Sequence, residues 1–225
     1  MRFTAANNES AMDASPSNLP TNAFTMGCWF YLVSTSGGSQ YFLTMYDPGE
    51  NNDYFLVRVT STGTVISTLI KVAATNTQLD SGGISTATWY YVVAGRSGAN
   101  HFLKVFNADG TLLTDTSGTN QVTTDWAWAA DREFNIGRLD SGSTTNDTDC
   151  RTKNVWRANS YITTNAILWA TALASNPVIR GPIAFSNFYP SSDANDTRDF
   201  LGGDLLVLGN TPTTEDDPPT LPKRF

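Results

Sequence analysis

Short apolar runs, each broken by turn chemistry, recur along most of the chain. Phe24, Met26, Cys28, Phe30 and Leu32 fall on one face of an extended segment over 24–33, and Trp29, Tyr31 and Val33 fall on the other. Apolar residues on both faces predict a strand covered on both sides. Further strands are predicted over 41–46, 54–60, 64–72, 89–95, 101–106 and 133–139, with Ser61-Thr62-Gly63 as a hairpin turn and Asn107-Ala108-Asp109-Gly110 turning the chain into Thr111-Leu112-Leu113. The first segment, 3–20, reads as a short strand followed by a turn-rich loop, and 47–53 and 140–154 read as polar loops.

Helical periodicity is nearly absent. One short helical turn is expected at 172–176, before Pro177, where 161–174 is otherwise ambiguous. Strands follow at 183–189 and 204–208. The last fifteen residues, 211–225, carry four prolines and the consecutive acids Glu215-Asp216-Asp217, and read as an extended tail. The pattern predicts one all-β antiparallel sandwich or barrel over 1–210, with the tail at 211–225 as a separate element.

Composition narrows the partners. Charged residues make up 16% of the 225 and the net charge is −7, so nucleic acid and anionic membrane surfaces are not expected as partners. No apolar run reaches the ~20 residues that span a bilayer. The opening residues lack an apolar signal-like core. Cys28 lies in an apolar strand pattern and Cys150 in a polar loop, so both are expected as free thiols.

Several segments in order resemble the laminin-G-like, concanavalin A-like lectin/glucanase superfamily: 8–19 with its Ser15-Pro16 pair, Phe24-Thr25-Met26-Gly27-Cys28-Trp29, Trp89-Tyr90-Tyr91-Val92-Val93-Ala94, 102–110 ending in Asp109-Gly110, Phe134-Asn135-Ile136-Gly137, and 166–174 around Trp169. The resemblance implies a two-sheet antiparallel jelly roll and places Trp29, Trp89 and Trp169 in the core. The segments 188–190, 199–210 and 216–219 resemble the ends of bacteriophage proteins of this type, which implies a virion setting. The expected function is a non-enzymatic virion structural protein, a capsid decoration or tail-associated module whose partner is another virion protein such as the major capsid protein. A carbohydrate-binding adhesin that recognises host glycan is the alternative, and a divergent glycoside hydrolase is the second. Self-association is a further expectation.

Candidate chemistry is sparse. The superfamily's hydrolases carry Glu-x-Asp-x-x-Glu on one strand, where alternation sets the acids on one face, and this chain has no such run. His101, the one histidine, follows Gly98-Ala99-Asn100 and reads as a surface residue at a strand edge. Trp126 and Trp128 share a face if extended, so they are candidates for stacking on a sugar or anchoring a partner, with core packing as the competing reading. Trp156 joins them as an undecided third. In the tail, Pro218, Pro219, Leu221, Lys223, Arg224 and Phe225 are candidates for docking on a neighbouring subunit. No cofactor is expected. Calcium, which relatives hold at the sandwich rim, is the one metal considered, with Asp47, Asn51 and Asp53 as ligands or, as a second set, Asp140, Asp147 and Asp149, against ordinary turn-forming roles for the same residues.

Overall fold

The computed structural model describes residues 2–3, 10–13, 16, 19–35, 38–48, 53–72, 75–119, 122–137, 149–173, 185–190, 197–199 and 205–209; for 2–3, 10–13, 173 and everything beyond it, the backbone alone is defined. In chain order the strands are β1 (Arg2–Phe3), β2 (Ser10–Asp13), β3 (Phe24–Leu32), β4 (Gln40–Asp47), β5 (Asp53–Val59), β6 (Val65–Val72), β7 (Thr75–Gly83), β8 (Trp89–Ser97), β9 (Asn100–Asn107), β10 (Leu112–Thr119), β11 (Glu133–Ile136) and β12 (Cys150–Ala158). The helix α1 (Asn165–Leu173) follows, then β13 (Phe185–Pro190), β14 (Thr197–Asp199) and β15 (Leu205–Gly209). All pairings are antiparallel, as the alternating pattern predicts.

Two five-stranded sheets form a sandwich. The front sheet runs β10-β9-β8-β3-β12 and the back sheet β11-β4-β5-β6-β7. The strands β13, β14, β15 and β2 continue the ladder from β12 to β11 along one side. On the other side the edge strands β7 and β10 meet: Gly82 N donates to Thr114 Oγ1 at 2.9 Å and Thr116 Oγ1 to Asp80 O at 3.4 Å. A long, unpaired edge invites pairing with another chain, and this contact covers both edges.

The space between the sheets is filled as the strand pattern requires. Phe24, Met26, Cys28, Phe30 and Leu32 of β3 meet Phe42, Met45, Phe55, Val57 and Ile70 of the back sheet. Phe30 stacks on Phe42 with centroids 4.1 Å apart, and Phe24 meets Phe55 edge-on at 4.7 Å. The outer face of the front sheet has its own core. Trp29, Tyr91, Val93, Phe102, Phe106 and Trp156 pack beneath Ile162, Leu168 and Ala172 of α1 and the segment before it. This second cover is why β3 and β8 are apolar on both faces.

A β-bulge in β12 builds that second core. Lys153 pairs with Trp29 but Trp156 with Gly27, so Asn154 and Val155 together oppose Cys28. Asn154 takes φ +50°, a left-handed conformation that asparagine tolerates. The extra residue flips the alternation. Cys150 and Val155 face the inter-sheet core, while Trp156 and Ala158 face α1. Gly27 supplies the room, since a Cβ there would lie 3.1 Å from Trp156 Nε1 and 2.9 Å from Val92 O.

Four expectations are corrected. The loop expected over 140–154 ends in β12, so Cys150 is buried in a strand opposite Leu32 and is not in a loop. The helix is nine residues long and begins at Asn165, seven residues earlier than the expected turn. The strands β7 and most of β10 were not anticipated, because their side chains are mostly exposed and polar and carry no apolar stripe. His101 is not a surface residue: it is 1% exposed, between the sheets. Both cysteines are free thiols, and burial pushes both up from their ordinary range. Among the described residues no helix is long and apolar enough to cross a membrane.

His101 has a measurable consequence. Its Nε2 lies 2.7 Å from Thr68 Oγ1, its ring meets Phe55 edge-on, and Arg96 is its cross-strand partner on β8. Burial, then the Arg96 charge, push its pKa down to about 3. An unfolded histidine titrates near ~6.5. The folded state therefore refuses a proton that the unfolded state takes, and stability present above pH ~6.5 is lost as pH falls toward 3. By pH 4.5 the loss from this residue alone is expected to be about 2–3 kcal/mol. Denaturation across this range should show a flatter pH profile for His101→Gln than for the native chain, and parallel profiles would contradict the assignment.

Candidate functional site

The segment 122–132 crosses one end of the sandwich without regular structure, yet it is held at many points. Arg96, fully buried on β8, donates from Nε to Gly98 O at 2.9 Å and from Nη2 to Val122 O at 3.2 Å and Thr124 O at 2.5 Å. Its guanidinium lies 4.3 Å from the Trp126 ring centroid. Trp126 in turn donates from Nε1 to Lys71 O at 3.0 Å, and its backbone N–H to Thr21 O. Further along, Ala129 N donates to Asp47 Oδ2 at 2.7 Å, and Arg132 donates to Pro16 O and Ala129 O at 2.9 and 3.1 Å.

Trp128 stacks on Trp126 with centroids 4.9 Å apart and planes at 19°. Its Nε1 donates to Pro20 O at 2.9 Å, so its polar edge is turned inward. The result is a column of Arg96, Trp126 and Trp128 that runs from the core to the surface and ends in a partly exposed indole. Beside it Asn22 Nδ2 donates to Asp125 Oδ1 at 2.5 Å, and Gly98 N donates to Asn22 Oδ1 at 2.6 Å. Asp125 and Asp131 are exposed on the same loop. A partly exposed aromatic ring on a loop that also carries exposed carboxylates suits a hydroxyl-rich ligand.

The sequence candidates separate cleanly. Trp126 is 2% exposed and Trp156 is fully buried, so neither ring can meet a ligand, and both are corrected from contact residues to structural ones. The two rings stack on each other, which the shared-face expectation did not state, and of the pair Trp128 alone reaches the surface. Trp29 is core as the resemblance implies, whereas Trp89 and Trp169 lie at the margin of the outer core. Asn51 and the tail residues Pro218, Pro219, Leu221, Lys223, Arg224 and Phe225 lie outside the described residues, as do Asp140, Asp147 and the 210/211 boundary.

Asp47 and Asp53 are cross-strand partners at the ends of β4 and β5, 0% and 8% exposed. Their direct opposition is not visible in the spacing of the sequence. Asp47 is occupied in holding the Ala129 N–H. Among the described residues no group of three or more His, Cys, Asp or Glu side chains is placed to hold a metal ion. Asp149, from the second calcium set, accepts from Ser34 Oγ at 2.6 Å.

The geometry defines the class as a two-sheet jelly roll of the lectin type. A family model described as the concanavalin A-like lectin/glucanases superfamily matches residues 6–157, more than half of the chain, and the chain belongs to that superfamily. A protein of Bacteroides ovatus described as carbohydrate-binding is similar in structure, with a TM-score of 0.66 at 13% identity over 92% of this chain and 56% of that one. The enzymatically active domain of tailspike protein 2 of bacteriophage CBA120 is similar with a TM-score of 0.58 at 12% identity, over 79% of this chain and 27% of that one. The heptameric SAP-like pentraxin of Limulus polyphemus gives 0.56 at 13% identity, over 93% and 94%. The chain thus spans about a quarter of the tailspike fragment and about half of the Bacteroides protein. No curated protein matches it by sequence.

Proposed function

We propose that this chain is a non-enzymatic, lectin-like module that binds glycan at Trp128 and works as part of a virion. The observation that carries the reading is the Trp126–Trp128 stack, an indole presented at the surface on a support fixed by Arg96. A rigid aromatic platform costs little entropy to use and gives a pyranose an apolar face to lie on. The structural similarity to a protein described as carbohydrate-binding is consistent with it. The non-enzymatic part rests on the acids: among the described residues the cross-strand pair Asp47 and Asp53 is buried, with Asp47 tied to the loop, unlike the accessible pair that glycoside hydrolysis needs.

Trp128→Ala is expected to weaken glycan binding roughly thirtyfold or more, the loss typical of a central aromatic contact. The same change should cost stability about 2–4 kcal/mol, since the indole loses its stack on Trp126, the apolar area it covers and the bond to Pro20 O. Isothermal titration beside a thermal melt checks both, and unchanged affinity in a folded variant would remove Trp128 from the site.

Head decoration, with attachment to the major capsid protein, is the second reading, supported by the resemblance of 188–190, 199–210 and 216–219 to the ends of bacteriophage proteins. Counting the chain against the major capsid protein in purified particles separates the two. Stoichiometric copies favour decoration, and a few copies per particle favour a tail adhesin.

A further inference from the structure

We infer that the Trp128 platform takes uncharged pyranose glycans and discriminates against acidic ones. The inference rests on the glycan-binding reading above and adds the ligand class. It follows from where the charges at this end of the sandwich point.

Sialic and uronic acids carry a carboxylate, and proteins select it with a forked guanidinium that offers two parallel N–H donors. Among the described residues, two guanidiniums bond the loop that carries the platform. Arg96 is fully buried behind Trp126, with Nε and Nη2 on the carbonyls of Gly98, Val122 and Thr124. Arg132 has Nε on Pro16 O and Nη1 on Ala129 O, so one donor on each edge of its fork is held by the backbone. Arg96 is thus closed to a ligand, and Arg132 is tied to backbone carbonyls by two of its three nitrogens.

The carboxylates are disposed the other way. Asp125 and Asp131 stand exposed on the loop that carries Trp128, and Asp47 lies beneath it, accepting from Ala129 N. Asp125 has Oδ1 on Asn22 Nδ2, which fixes the group as a directed acceptor. Carboxylate acceptors on the loop that carries an aromatic ring match the hydroxyls of a neutral sugar and repel an added anion. The chain's net charge of −7 adds to that field.

The test is a titration of the full chain with neutral oligosaccharides and with their sialylated or uronic counterparts, at low and at high salt. The neutral members are expected to bind at least about tenfold more tightly at low salt, and the gap should narrow as salt screens the loop acids. Asp131→Asn, which removes an exposed charge without touching the loop's hydrogen bonds described above, should narrow it as well. Equal or tighter binding of the acidic glycans, still abolished by Trp128→Ala, would overturn the inference and leave the platform in place. Absence of binding to either set by the folded protein would overturn the platform reading and this inference together.

Discussion

Trp156→Ala is expected to lower the unfolding free energy by about 3–5 kcal/mol, the usual cost of deleting a fully buried large aromatic. For a domain of this size that corresponds to a fall in Tm of about 6–20 °C. The ring is fully buried between the front sheet and α1. Its Nε1 donates to Tyr91 Oη at 2.6 Å, Tyr91 Oη bonds Thr171 Oγ1, and Thr171 Oγ1 donates to Leu168 O at 2.6 Å. Trp29 adds a bond from Nε1 to Ala172 O at 3.0 Å. Burial pushes the Tyr91 phenol above its ordinary range, which keeps it neutral as a hydrogen-bonding group. Removing the indole opens a cavity and takes a donor from a buried hydroxyl, two costs that add. Trp156→Phe restores most of the apolar contact but not the N–H, so it should fall between the two. Chemical denaturation measures all three proteins, and a loss below about 1 kcal/mol for the alanine variant would mean that this ring does not hold α1 to the sheet.

Arg96→Met is expected to cost about 3 kcal/mol and to weaken glycan binding without touching the ligand. Methionine keeps the apolar stem and loses the guanidinium. The carbonyls of Gly98, Val122 and Thr124 then lose their donor, and Trp126 loses the cation against its ring. Charge-assisted bonds of this kind are worth about 1.5–3 kcal/mol each, and the gain is offset by the desolvation that the buried charge no longer suffers. Arg96 is thus a positioning residue, and the platform should loosen before the sandwich melts. Arg96→Lys restores charge but not the fork, so it should recover stability in part and affinity less. The two readouts are Tm and glycan affinity, and full affinity in the methionine variant would show that the loop holds its shape without the clamp.

The sandwich was legible in the sequence where strands carry apolar residues on a regular two-residue period. The two-faced pattern of 24–33 foretold both cores, and α1 with the segment before it supplied the second cover. His101 was misjudged from its neighbours in sequence, although it is in phase with Leu103 and Val105, which face the same core. The edge strands β7 and β10 were invisible because edge positions are solvated and need no apolar stripe. β12 was hidden by its bulge, since one extra residue at Asn154 breaks the period and turns Trp156 from one core to the other.

For the site, the i, i+2 spacing of Trp126 and Trp128 suggested a shared face but gave neither their mutual stack nor the order of burial. That order depends on Arg96, distant in sequence, reaching the loop from β8. The same distance hid the Asp47–Ala129 bond, which joins the end of one strand to a loop 82 residues away. Contacts of this kind arise only when two ends of a sandwich close, and no local pattern announces them.

The central claim is that a glycan binds at Trp128. A glycan array probed with the native chain, and in parallel with Trp128→Ala shown by circular dichroism to be folded, tests it most directly. The native chain is expected to bind a set of neutral glycans, and the variant to lose them. A folded native chain that binds no glycan on the array, or a variant that binds the same set equally well, would contradict it.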